Sequence, residues 1–341
     1  QKKAKDTKQN LVPSEPLCGH SILWKNNGKF FQRLETADLA RYQNACELWE
    51  KHKDRLPYPK SKIPMGEKTK SGLIAHHYLY WHQMFNPRQL LALATLLDAI
   101  VKEAGHEREQ LLLCLSATTD TNNCFTRYMA SRDSAGGQTA QGVFARHDFQ
   151  PKVTVCEQNV WGLEAGGIGS FLRRYWQTLS GVEYAANTYD VNYRYDGHKR
   201  IREVVVQDSL YSVRNSSDKR LLYCQSSKSL AKCADASADF AITDPPYSDN
   251  VNYSELADFY YVWQRLGLKD AYKHYAPETA PKTDEVIKNP TRGKGDKEFA
   301  DDLTAVFAEA NRVLRPGGVL AFTFHHADGS AWESLLQSIC N

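Results

Sequence analysis

Among the 341 residues stand eight cysteines, at 18, 46, 114, 124, 156, 224, 233 and 340, and no two are spaced as C-x-x-C. Without such pairs the sequence encodes neither a zinc ribbon nor a dense disulfide framework, and a reducing, cytoplasmic setting is the simplest expectation. No apolar run approaches the roughly 18 residues of a membrane span, so no membrane partner is expected. The opening Gln1-Lys2-Lys3-Ala4-Lys5 lacks the apolar stretch of a signal peptide. A G-x-G-x-x-G turn is missing too. Gly166-Gly167-Ile168-Gly169 has neither that spacing nor a preceding strand, and reads as a surface loop. His325 and His326 are adjacent, so on a strand they point to opposite faces; with no third ligand in view, no metal is expected.

What is present suits a globular protein. The 43 Lys and Arg nearly balance the 40 Asp and Glu, giving a net charge of +3. The balance is uneven along the chain: basic groups prevail in residues 1–70 and acidic ones in residues 231–341. The earlier part is therefore suited to a polyanionic partner.

Periodicity divides the chain into three. Residues 1–70 form a basic, partly irregular lead-in with one helix over Glu35 to Lys53, where Leu39, Tyr42, Ala45, Cys46, Leu48 and Trp49 recur at threes and fours. Residues 71–200 form a helical and loop-rich insertion that is a possible DNA-contacting region. Asn86-Pro87 opens a helix there, a second spans Glu107 to about Thr119, and loops are expected from about residue 121 onwards. Arg127, Arg132, Arg146, Arg173, Arg174, Arg194, Lys199 and Arg200, interleaved with Tyr and Phe, mark a candidate nucleic-acid surface. In residues 201–341 the apolar runs Val204-Val205-Val206, Leu221 to Cys224, Phe240-Ala241-Ile242 and Val319 to Phe324 each suit a strand buried on both faces. A helix over Asp301 to Leu314, stopped by Arg315-Pro316-Gly317-Gly318, completes a strand, helix and strand, which implies parallel strands.

The run that carries chemistry is Phe240-Ala241-Ile242-Thr243-Asp244-Pro245-Pro246-Tyr247. An apolar strand leads straight into Asp-Pro-Pro-Tyr, at the carboxyl end where open α/β sheets place their ligands. Consecutive prolines donate no backbone N–H and end the ladder. The Asp244 carboxylate and the Pro245 carbonyl can then each accept a hydrogen bond from one planar amino group, which turns the nitrogen lone pair out of conjugation. Tyr247 can lie flat on the heterocycle.

This run resembles the DPPY motif of the S-adenosylmethionine-dependent amino-methyltransferases that modify N6 of adenine or N4 of cytosine in DNA. Asp244 to Arg265, with Ser248 to Leu256 and Asp258 to Trp263, is similar to a family of large adenine-specific DNA methylases often described as containing a zinc ribbon. Phe85 to Leu90, Phe144-Ala145-Arg146, and Asn289-Pro290 with Arg292 are similar to that family too. The resemblance spans roughly residues 60 to 341 and implies an α/β, Rossmann-like methyltransferase core, a mostly parallel sheet with helices on both faces, plus a mainly helical and irregular insertion. It implies S-adenosyl-L-methionine as cofactor, double-stranded DNA as partner, and transfer of a methyl group to N6 of a flipped adenine. A setting in bacterial restriction-modification or phage defence, beside other defence-system subunits, would follow.

Asp244, Pro245, Pro246 and Tyr247 are the expected catalytic residues, with Asp244 also facing the cofactor. Asn250, Tyr253, Phe324 and His325 are expected around the target base, and Arg146, Lys288, Arg292 and Lys294 against DNA. Two departures from the family stand out. The Gly-rich cofactor turn is not found, and Cys18-Gly19-His20 is at most a remnant of the ribbon. The chain is accordingly expected to be part of a larger enzyme and to bind the cofactor weakly by itself. Methylation of N4 of cytosine, methylation of an RNA amino group, and a non-catalytic DNA-binding subunit remain as alternatives.

Overall fold

Leucine and aromatic side chains at helical spacing build most of the protein's interior. The computed structural model describes residues 20–25, 28–129, 139–151, 156–162, 169–186, 189–197, 199–205, 223 and 225–340. Gly166 to Ile168, Cys18, Gly19, Arg132, Val206, Leu221, Leu222 and Cys224, singled out above, lie outside them. A hairpin of β1 (His20–Lys25) and β2 (Gly28–Arg33) is followed by α1 (Thr36–His52), α2 (Glu67–Gly72), α3 (Pro87–Ile100) and α4 (Gly105–Thr119). The short pair β3 (Arg127–Met129) and β4 (Thr139–Gln141), then α5 (Phe171–Ala186), precede a ribbon of β5 (Asp190–Asp196) and β6 (Lys199–Val205). The last part runs β7 (Ala238–Thr243), α6 (Tyr253–Leu268), α7 (Asp296–Val313), β8 (Leu314–Phe322) and α8 (Gly329–Cys340). The fold is thus mixed α/β, with four two-stranded sheets among the described residues, of which β7–β8 is parallel. No helix among those residues is long and apolar enough to cross a membrane.

The expected helices form where the sequence signals them. Asn86 caps α3: its Oδ1 accepts the Gln89 N–H at 2.9 Å while Gln89 Oε1 accepts the Asn86 N–H at 3.0 Å. Behind this cap Leu90, Leu93, Ala94, Leu97 and Ile100 are buried along one face. They join an aromatic cluster in which Phe85 stacks on Phe259 at 5.7 Å and meets Trp263 edge-on at 5.3 Å. Phe144 closes on Phe259 from another side at 5.6 Å. Because Phe259, Val262 and Trp263 belong to α6, the helix that follows the Asp-Pro-Pro-Tyr run is anchored in this helical body. Full burial of each such side chain contributes roughly 1.5–3 kcal/mol.

Three elements differ from the sequence expectations. Helix α5 occupies a stretch expected to be mostly loop. Tyr175, Trp176, Thr178, Val182 and Tyr184 are mediocre helix formers, and packing on α4, with Cys114 Sγ 3.3 Å from Thr178 Oγ1, favours the helix there. Val204 and Val205 pair antiparallel with β5 instead of entering a parallel core sheet. Strands β7 and β8 are parallel as expected but not buried on both faces: Phe240 is 67% and Ile242 82% exposed. Helices α7 and α8 cover one face only, where Phe299, Leu303, Phe307 and Leu335 pack beneath Leu320 and Phe322.

Arg315 to Gly318 do turn, but inside the span of β8. Leu314 pairs with Ala238 and Val319 with Phe240, so the intervening residues bulge out, and Gly317 takes φ +78°.

Candidate functional site

The parallel register sets the site. Thr243 pairs with Phe322, and the Thr323 N–H continues the ladder to the Thr243 carbonyl at 3.3 Å, so the residues just beyond each strand, Asp244 and Thr323, emerge side by side. Asp244 Oδ1 accepts the Tyr247 hydroxyl at 2.5 Å and the Thr323 hydroxyl. Those two hydroxyl oxygens are 3.2 Å apart, closing a triangle. Among the described residues no donor reaches Asp244 Oδ2 or the Pro245 carbonyl oxygen, and Asp244 is exposed. The Thr323 hydroxyl, and after it that of Tyr247, holds the Asp244 carboxyl below the usual carboxylate range. Asp244 is therefore an anion at neutral pH with one oxygen tied and the other open.

Aromatic rings wall one side. The Tyr247 ring meets Phe324 edge-on at 5.4 Å, and Phe324 meets Trp332 at 5.0 Å. Phe324 thus emerges beside the motif, as the sequence suggested. Tyr247 itself is oriented by its bond to Asp244. Tyr253 is half exposed at the start of α6, and its phenol is pushed up by burial and then by the negative charge of Asp244.

The two loops at the strand ends are laced together. Asn250 Nδ2 donates to the His325 carbonyl at 3.4 Å, while the His325 ring is exposed. His326 Nδ1 accepts the Asp328 N–H at 3.0 Å, so its proton lies on Nε2 and is donated to Asp249 at 3.1 Å. The Trp332 indole N–H donates to the His326 carbonyl at 3.0 Å.

From behind, the motif is fixed by buried polar groups. Ser248 takes φ +54° and its carbonyl accepts the Lys288 N–H at 3.3 Å. Glu255, only 1% exposed, accepts the backbone N–H groups of Glu67, Lys68 and Thr69 at 2.8–3.1 Å, the first turn of α2. Asn289 Nδ2 bridges Glu255 Oε1 at 2.8 Å and Asn252 Oδ1 at 2.7 Å. A Cβ at Gly66 would overlap the Glu255 carboxylate, so only glycine permits this approach.

The basic loop expected against DNA is largely neutralised within the protein. Lys288 pairs with Asp296 at 2.8 Å, Arg292 with Glu285 at 2.6 Å, and Lys294 with Asp302 at 2.9 Å. Arg146 is exposed on a separate loop. The structure therefore brings Asp244, Pro245, Pro246, Tyr247, Asn250, Tyr253, Phe324 and His325 to one sheet end. Lys288, Arg292 and Lys294 serve the loop that buttresses it.

Sequence reasoning missed Thr323, Glu255 and the Asp249–His326 pair. Thr323 was within reach, since it sits two residues before His325 in a strand already recognised; only the register was lacking. Cofactor residues do not emerge. Among those described, no Gly-rich strand-to-helix turn faces Asp244; one open cleft runs along α8, bordered by Trp332 and Leu336, and another lies between Tyr58 and Leu266. The described residues do not form a set that fits S-adenosylmethionine. In comparisons with known proteins, no family model, no curated protein and no solved structure matches the chain.

Proposed function

We propose that the Asp244–Tyr247 loop is the acceptor half of an amino-methyltransferase site, which grips N6 of an adenine turned out of DNA. The observation that carries this reading is the asymmetry of Asp244: Oδ1 accepts two hydroxyls, while among the described residues no donor reaches Oδ2 or the Pro245 carbonyl. An exocyclic NH2 has two protons, and two acceptors at the end of one strand suit it. Accepting both turns the nitrogen lone pair away from the ring and makes it nucleophilic.

The depressed pKa fits the task. As the nitrogen is alkylated it becomes cationic, and a fixed carboxylate stabilises that charge without having to be a strong base. The surplus proton passes to water. Extruding the base costs about a few kcal/mol, offset by contact with the Tyr247 and Phe324 rings. The methyl donor implied by the resemblance has no matching residues among those described, so the proposal concerns the acceptor side alone. A Rossmann-like core around β7 and β8 belongs to the same proposal, as does bacterial DNA modification as its setting.

The test is mass spectrometry of nucleosides from DNA treated with the full protein and S-adenosylmethionine. N6-methyladenine is expected; N4-methylcytosine, or modification confined to RNA, would redirect the reading to those bases. That no cofactor set emerges among the described residues favours a second reading, a nucleic-acid-binding subunit without catalysis, which the absence of any methylated nucleoside would support.

A further inference from the structure

We infer that one face of the β5–β6 ribbon is a stacking platform for unpaired DNA. The inference does not depend on the methyltransferase reading, because it rests on a different part of the molecule. Among the described residues, β5 and β6 make their extensive contacts only with each other, so the ribbon stands off the helical body. Across it Tyr193 lies opposite Arg202, and Tyr195 opposite Arg200. Directly opposed residues share a face, and residues two apart along a strand share it too. All four side chains are therefore on one face.

The other face carries Asn192, Arg194, Asp196, Ile201 and Glu203. The ribbon has sorted its charge: the tyrosine face has two guanidinium groups and none of these carboxylates. Arg200 lies 3.6 Å over the Tyr193 ring centre, and Arg202 reaches Tyr189, 5.8 Å over its ring and 3.3 Å from its hydroxyl. Tyr189 in turn meets Tyr184 of α5 edge-on at 5.1 Å, which extends the aromatic row onto the helix. Neither Arg200 nor Arg202 has a carboxylate partner among the described residues. Tyr193 is 49% and Tyr195 71% exposed.

Exposed rings interleaved with unneutralised guanidinium groups answer two features of a single strand at once. Bases stack on the rings, and phosphates pair with the cations. A duplex hides its base faces and would leave the rings unused, so the chemistry favours unpaired DNA.

Fluorescence anisotropy with a labelled 20-nucleotide oligo(dT) and a labelled 20-base-pair duplex tests this on the full chain. Tyr193→Ala with Tyr195→Ala should weaken oligo(dT) binding about tenfold or more, since each stacked base contributes appreciably. Arg200→Ala with Arg202→Ala should do the same and lower the salt dependence of binding by about 1.4, at about 0.7 per phosphate contact. Duplex affinity should change less than about threefold. Removing two exposed cations elsewhere, with Arg41→Ala and Lys102→Ala, should leave oligo(dT) binding as it was. Circular dichroism checks that each variant is folded. The inference is overturned if the wild-type chain does not bind oligo(dT), if the ribbon variants bind it like wild type, if duplex affinity falls as far, or if the control pair weakens binding equally. Methyl transfer is scored separately, so a chain that binds as stated but methylates nothing would defeat the proposed function and leave this inference standing.

Discussion

The helical body and the β7–β8 unit solve the same problem of burial very differently. In the body, Trp81, Phe85, Phe149, Phe259 and Trp263 are all less than about a twentieth exposed and share one continuous core with α3 and α4. The β7–β8 unit relies on four buried side chains from α7 and α8 and leaves Phe240, Ile242 and Val319 in the open on its other face. The candidate site sits at the seam. Its rigidity comes from the body, through α6, Glu255 and Asn289; its chemistry comes from the strand ends, through Asp244 and Thr323. A loop fixed from behind can hold an exposed carboxylate in one geometry even where its own sheet is thin.

The comparison is broken most directly in the body. Phe259→Ala should cost about 3–5 kcal/mol, the range for a large aromatic lost from a close-packed core. Glu255→Ala should be nearly as damaging, about 3 kcal/mol or more, because it strands buried N–H donors of α2 and the Asn289 amide. Urea unfolding measures both, and an effect under about 1 kcal/mol at Glu255 would mean that the loop is not anchored through that carboxylate.

At the seam the effect should shift from stability to pH. Thr323→Val removes the foremost cause of the low Asp244 pKa, so that pKa should rise towards the ordinary carboxylate value. A carboxyl depressed by folding adds stability above its unfolded pKa and loses it as pH falls through the folded one. In the variant that acid-side dependence should shrink, and the acid limb of any methylation profile should move to higher pH. Carbon NMR titration of the Asp244 carboxyl follows the shift; a titration curve identical to wild type would remove Thr323 from the account.

The smallest effect belongs to the open face of the sheet. Ile242→Ser should change stability by no more than about 0.5 kcal/mol, as at other exposed positions. A loss of about 2 kcal/mol would show that the side chain is covered in solution.

These differences also mark what the sequence could reveal. Helices α1, α3, α4 and α7 were legible because apolar periodicity and the Asn86 cap are local signals. The Asp-Pro-Pro-Tyr turn was legible because prolines punctuate a strand. Helix α5 was not, since its aromatic and β-branched residues favour a helix only when packed on α4. Nor was the partnership of Asp244 with Thr323, 79 residues apart, which depends on strand register. The anchoring of Glu255 on α2 was equally hidden, because a buried glutamate looks in sequence like any solvated one. Lys288, Arg292 and Lys294 illustrate the converse: a run of cations that suggests a polyanion partner is here paired with nearby carboxylates.

The central claim is that Asp244 holds the amine being methylated. Its most direct measurement is the single-turnover methylation rate of duplex DNA by the full protein, wild type against Asp244→Ala, with DNA affinity determined alongside. The account predicts a rate lower by about 100-fold or more with affinity within a few-fold, and a variant that keeps more than about a tenth of the wild-type rate would contradict it.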